Sequence, residues 1–177
     1  AAFCGVPDAP ETQARTAGLE EVISESSVIL EMITSDHGDR MLARANIEDM
    51  LRQRPEIACY IGLNDYYGPL LLSAIREAGR ARWVRIVSVG SSPPLKAAIN
   101  EGVVHGLVED SAEGFAEIAL KTLSALAKGN AVAVPDDGVI IGPVRSVISE
   151  DQPTAKEVLD ELELQIPWIS EITPGAP

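Results

Sequence analysis

Five times in succession, an apolar run of six to eight residues gives way to a segment whose apolar residues recur every three or four positions. Uninterrupted apolar runs suit buried strands, whereas the longer period suits amphipathic helices. Such alternation constrains the chain to the α/β class, with parallel strands joined by helical crossovers and helices on both faces of the sheet. Residues 1–6 form the first run, which Pro7-Asp8-Ala9-Pro10 ends. Leu19, Val22 and Ile23 place a helix over Gln13 to Ser24, and Ser27 to Thr34 reads as the second strand. Ala43, Ile47, Met50 and Leu51 mark a helix from about Asp39 to Arg54, closed by Pro55.

Ile57 to Leu63 is the third strand, followed by a helix after Pro69 that stops at Gly79. Val84 to Val89 and Val103 to Val108 are the fourth and fifth strands, separated by a short helix carrying Leu95, Ala98 and Ile99. Runs such as Val28-Ile29-Leu30 fit a sheet covered on both faces better than a half-exposed antiparallel one.

The next helix, Ala112 to Lys128, departs from the pattern. Glu113, Glu117, Lys121, Ser124 and Lys128 occupy one narrow stripe, while apolar residues cover most of the remaining circumference. A surface helix needs an apolar face of only about 100°, so this one is expected to pack on more than one side. Beyond Pro135-Asp136-Asp137-Gly138, Val139 to Ile148 forms a last apolar run. A polar tail over 151–177 then carries a short helix from Thr154 to Leu164.

Composition narrows the function. With 14 basic and 27 acidic residues the formal charge is −13, which repels nucleic acid and anionic membrane surfaces. Cys4 and Cys59 are too few for a disulfide scaffold and lack metal-ligand spacing, so no metal site is expected. They fall on strands expected to be neighbours, as buried free thiols. His37 and His105 stand alone, no serine or cysteine sits in a nucleophile elbow, and no glycine-rich phosphate loop occurs. No catalytic residue and no cofactor are therefore expected. Asp36, Asp39 and Asp65 would suit a phospho-acceptor receiver domain, but that chemistry needs a lysine where Glu109-Asp110 stand. The N-terminus lacks the basic region and long apolar stretch of a signal peptide. A chain opening directly on a core strand reads as an excised domain or processed fragment.

Five segments, in order, carry a family resemblance: Arg15-Thr16-Ala17-Gly18-Leu19; the helix from Arg44 to Leu51 leading to Pro55; Gly62-Leu63-Asn64-Asp65-Tyr66-Tyr67; Val87-Ser88-Val89-Gly90-Ser91-Ser92-Pro93; and Ile99-Asn100-Glu101-Gly102. Together they resemble the second lobe of periplasmic sugar-binding proteins, within the ribose-binding and lactose-repressor-like superfamily. The resemblance implies a flavodoxin-like, doubly wound parallel sheet that is one lobe of a type I periplasmic-binding-protein fold. Residues 1–150 would form that lobe, and helix 112–128 would belong to the other lobe of a full-length protein.

Its partners would then be a small polar ligand, a carbohydrate by class, the membrane subunits of an ABC importer, and a missing first lobe or a homodimer mate. The implied place is periplasmic or extracytoplasmic, and the implied mechanism is closure of two lobes on one ligand. Two alternatives stand beside this: the effector-binding half of a lactose-repressor-type regulator, and a lobe-like module that self-associates through its exposed helix.

Ligands of open α/β sheets bind at the carboxyl ends of the strands. That rule brings Pro7 to Pro10, Asn64, Asp65, Tyr66, Gly90 to Pro93 and Asp110 around one crevice, with Arg15 reaching it from the first turn of its helix. The resemblance assigns ligand contacts to Arg15 and Asn64, although Asn64 also suits a cap of the following helix. Tyr66 or Tyr67 offers a ring face to a sugar, or a buried ring with a satisfied hydroxyl. Gly90 stands where the family carries an acid, and Asp110 where it often carries glutamine, so the favoured hydroxyls or cations should differ.

Overall fold

The computed structural model describes residues 1–132, 138, 142 and 144–148. The apolar runs become β1 (Ala2–Cys4), β2 (Ile33–Ser35), β3 (Cys59–Gly62), β4 (Arg85–Val89) and β5 (Gly106–Asp110). Between and after them lie α1 (Pro10–Ser24), α2 (Arg40–Gln53), α3 (Tyr67–Glu77), α4 (Pro93–Asn100) and α5 (Ala112–Ala127), with β6 (Val144–Ile148) closing the series. The sheet order is β2-β1-β3-β4-β5-β6. All pairs are parallel except the last, in which β6 runs against β5 with Gly106 opposite Ile148 and Asp110 opposite Val144. The expected tail helix over 154–164 lies outside the described residues.

Local chemistry explains the boundaries. The Asp39 carboxylate accepts from the Met41 and Leu42 backbone N–H groups and starts α2, using donors that have no partner within the helix. Ser111 caps α5 through the Gly114 N–H. The helix expected to follow Pro69 starts two residues earlier, at Tyr67. Pro69 lies in its first turn, where a missing N–H costs nothing.

Two strands depart from expectation. β2 shrinks to three residues because β1 offers only three pairing positions, leaving Val28 and Ile29 exposed. β5 begins at Gly106 rather than Val103 because the N–H groups of Val103 and Val104 bond back to Ala98 at the end of α4.

The two faces of the sheet are covered unequally. On one, Phe3, Tyr60, Ile86 and Leu107 pack beneath α2, α3 and α4 with Ile47, Leu71, Ile75 and Leu95 in a single apolar cluster. Phe3 stacks on Tyr60 at 5.6 Å between ring centroids. On the other face, Ala2, Cys4 and Leu63 form a small cluster with Leu19, Leu30 and Ile61. Only the edge of α1 serves this side: Thr12 is its one buried residue, and Val22, expected on the core face, is exposed. α5 has no buried residue at all. The breadth of its apolar surface therefore does not reflect packing within the described lobe.

Cys4 and Cys59 are both free, and burial raises both thiol pKa values. Their strands are neighbours as expected. The β1–β3 register pairs Ala2 with Ile61, so the two cysteines sit about four residues apart along it. At roughly 3.3 Å per residue that exceeds the span of a disulfide.

Candidate functional site

The first two turns of α1, the loops leaving β3 and β4, and the end of β5 meet at the carboxyl edge of the sheet and enclose a hollow of about 470 Å³. It is lined by Glu11, Arg15, Asn64, Asp65, Gly90 and Asp110 among others. Arg15, in the second turn of α1 rather than the first, spans the opening. It donates from Nη1 to the Leu63 carbonyl at 2.9 Å and from Nη2 to Asp110 Oδ2 at 3.3 Å. The guanidinium is thus held flat against the ends of β3 and β5.

Asn64 does not cap α3 with its side chain. Its Oδ1 accepts from the Gly5 N–H at 2.8 Å, tying the loop after β3 to the loop after β1. Among the described residues, no acceptor occupies its Nδ2. A Cβ at Gly5 would lie 2.8 Å from the Tyr66 hydroxyl, so the two loops touch only because position 5 has no side chain.

Gly90 has a structural reason of its own. Its φ is +87°, and a Cβ there would come within 3.0 Å of the Asp65 Cβ. The loop after β4 therefore presses onto Asp65 with bare backbone. The acid missing at position 90 is matched by exposed carboxylates on either side, at Asp65 and Asp110.

Tyr66 stands apart from the other five expected residues. It lines an adjoining hollow of about 490 Å³ with Arg40, Asp65, Pro69 and Leu95. The Arg40 guanidinium lies 5.3 Å over its ring, within cation–π range. Its hydroxyl donates to the wholly buried Asp36 at 2.6 Å. Burial, together with the Asp36 hydrogen bond and charge, pushes the phenol pKa well above its ordinary value. Tyr67 is fully buried and donates to the Cys4 carbonyl. Neither ring faces the Arg15–Asn64 hollow, so the expected aromatic wall is not part of it.

Glu11 and Glu109 were not singled out by the sequence. Glu11 occupies the first turn of α1, where a carboxylate favours the helix dipole. Glu109 is buried on β5, between Lys96 of α4 at 2.6 Å and Arg145 of β6 at 2.5 Å. Hydrogen bonds from Lys96, Ser91 and Arg145 lower its pKa to about 2. A signal existed in the adjacent pair Glu109-Asp110 on a strand end, since alternation sends the two carboxylates to opposite faces.

The hollow thus offers Arg15 and the Asn64 amide as donors, and Asp65, Asp110 and Glu11 as acceptors. A hydroxyl both donates and accepts, so a polyol ring can satisfy such a mixture in several places at once. Among the described residues, no group of three His, Cys, Asp or Glu side chains is placed to hold a metal ion.

A family model described as periplasmic binding protein domain matches residues 1–131. The D-ribose/D-allose-binding protein of Pseudomonas aeruginosa is 26% identical over 143 residues, covering 81% of this chain and 45% of that protein. A carbohydrate transporter solute binding protein from Agrobacterium radiobacter, solved with D-arabinose, aligns with a TM-score of 0.74 at 16% identity, over 90% of this chain and 53% of that one. An ABC transporter periplasmic solute binding protein from Actinobacillus succinogenes, solved with D-allose, aligns with a TM-score of 0.74 at 17% identity, over 84% and 51%. The chain spans about half the length of these relatives.

Proposed function

We propose, for a chain that belongs to the periplasmic binding protein domain family, that its carboxyl-edge hollow recognises a monosaccharide-sized polyol and performs no chemistry on it. The setting is extracytoplasmic, and the recipient is the membrane complex of an ABC-type importer. The observation that carries this reading is the convergence of Arg15 from α1, Asn64 and Asp65 from the loop after β3, and Asp110 from the end of β5 on one hollow of about 470 Å³. That volume lies in the range of small-molecule sites. The names of the relatives, which bind ribose, allose or arabinose, support the same ligand class.

Mechanistically, one lobe supplies one wall. A ligand held by Arg15, Asn64 and the two aspartates presents its other face outward, and a second wall closing on that face gains the remaining hydrogen bonds. Binding then favours the closed state by the contacts made only there. Gly90 shapes the near wall, and Tyr66 supports it through Asp36. Residues 1–150 act as the lobe, with α5 reaching outside it.

Isothermal titration with D-ribose, D-allose, D-arabinose and myo-inositol tests the reading. Saturable binding of at least one, weakened tenfold or more in Arg15→Ala, is the expected result. No binding by the unsubstituted chain, or equal affinity in Arg15→Ala, overturns it.

A further inference from the structure

Glu109 is a carboxylate in a place that stability alone does not explain. It lies on β5, one residue before Asp110, with its side chain 8% exposed. A buried charge costs several kcal/mol to desolvate, and apolar residues of similar volume often replace buried ion pairs without loss. Its donors come from three separate segments: Lys96 of α4 at 2.6 Å, Arg145 of β6 at 2.5 Å, and the Ser91 hydroxyl in the loop after β4. Lys96 and Arg145 are 48% and 72% exposed, so each has water as an alternative partner. Ser91 differs, because it lines the hollow beside Asp65, Gly90 and Asp110.

The Ser91 contact fixes the shape of that wall. The loop after β4 is tied to β5 twice in succession: the Gly90 N–H donates to the Val108 carbonyl at 2.8 Å, and the next residue donates its hydroxyl to Glu109. β5 also carries Asp110, which accepts from Arg15 at 3.3 Å. The Gly90–Ser91 wall and the Arg15–Asp110 pair are therefore set from one strand.

The same contact fixes the chemistry. A serine hydroxyl has one proton and two lone pairs. The Glu109 carboxyl, its pKa lowered to about 2, is ionised at neutral pH and can only accept. It therefore holds the Ser91 proton, and the oxygen has only lone pairs left for the hollow.

We propose that Glu109 is a positioning residue that sets the specificity of this site, fixing the Gly90–Ser91 wall and making Ser91 an acceptor towards the ligand. Glu109 acts without touching the ligand, since Lys96 and Arg145 occupy its two oxygens. The ligand group beside Ser91 must then be a donor, a hydroxyl or an amine, and an ether or carbonyl oxygen is refused there. This inference rests on the reading of the hollow as a polyol site.

The experiment is isothermal titration at pH 7 with D-ribose, D-allose, D-arabinose and myo-inositol. It uses the unsubstituted chain, Glu109→Gln, Ser91→Ala and the double variant, each first shown to be folded by its urea transition. In Glu109→Gln the new amide can donate, which frees the Ser91 proton to face the hollow. Each single variant should weaken binding about fivefold or more. The double variant should fall within about twofold of the weaker single, because both changes act on one hydroxyl. The tightest of the four ligands is then replaced by its monodeoxyfluoro derivatives, in which fluorine cannot donate. The derivative that the unsubstituted chain rejects most should be rejected less by Glu109→Gln, whereas a merely structural role would weaken every derivative alike. Glu109→Asp, which keeps the charge but withdraws it by one methylene, replaces Glu109→Gln if that variant does not fold. Parental affinity at Glu109→Gln, losses that multiply in the double variant, or a uniform loss across the fluorinated series overturns the proposal and leaves the polyol reading intact. No binding of any of the four ligands by the unsubstituted chain overturns that reading, and the proposal with it.

Discussion

At the scale of single residues, the polar groups under the crevice are committed to one another before any ligand arrives. Asp36 is wholly buried and accepts from the Gly38 N–H and the Tyr66 hydroxyl, each at 2.6 Å. Tyr66→Phe leaves a buried carboxylate short of a donor, a change that costs about 1–3 kcal/mol. Urea unfolding should show that loss as a lower midpoint at unchanged slope. Asn64 separates two roles within one side chain. Asn64→Asp keeps an acceptor for the Gly5 N–H but removes the free amide donor, so it should preserve most of the stability and weaken sugar binding. Asn64→Ala should lower both, as paired denaturation and titration measurements would reveal. Arg15 and Asn64 could be picked from the sequence because each sits in a motif at a strand end. The partnership of Tyr66 with Asp36 could not, since the two lie 30 positions apart and meet only where β2 and β3 flank β1.

At the scale of elements, β5 is the strand on which charge and packing meet. Glu109 links it to α4 and β6 through Lys96 and Arg145. Because its folded-state pKa is lowered to about 2 from an ordinary value near 4.5, the unfolded chain binds the proton first as pH falls. Its contribution is complete above pH 4.5 and disappears as pH drops through about 2.

His105, at the opposite end of β5, acts in the same direction over a higher window. Burial, then the neighbouring Arg85 charge, lowers its pKa to about 4 from 6.5, so stability declines as pH falls from 6.5 through 4. Unfolding free energies measured from pH 7 to 2 should fall in two stages. His105→Asn should flatten the upper stage and Glu109→Gln the lower. Helix packing gives a sharper constraint at Gly68 of α3. A Cβ there would lie 2.7 Å from the Leu95 Cδ1 and 3.0 Å from the Ser88 hydroxyl. Gly68→Ala must therefore displace the buried Leu95 and Ser88 side chains, at about 1–3 kcal/mol, visible as a lower melting temperature.

At the scale of the whole molecule, the formal charge of −13 acts against compaction and against association with like-charged surfaces. Like charges oppose association, and salt screens them over about 8–10 Å at moderate ionic strength. Because the same repulsion acts within the folded chain, unfolding free energy should rise as sodium chloride is raised, which urea unfolding at several salt concentrations would measure. Among the described residues no aromatic ring lines the Arg15–Asn64 hollow, which fits a wall read mainly by hydrogen bonds and charge.

The sequence by itself determined the class and order of the elements. Strand and helix periods are local properties, and five repeats of one pattern admit little but a parallel sheet with helical crossovers. It also determined that Ala112 to Lys128 carries more apolar surface than one face requires, because that depends on spacing alone. Only the tertiary structure decided which residues share a hollow. Asn64 donates its oxygen to Gly5, Tyr66 turns to Asp36, and Gly90 is bare because Asp65 presses against it. The half-burial of Val87, Val89 and Val108 among the described residues belongs to the same category. Burial is a relation between distant segments, and no local period in the chain records which surface lacks its cover.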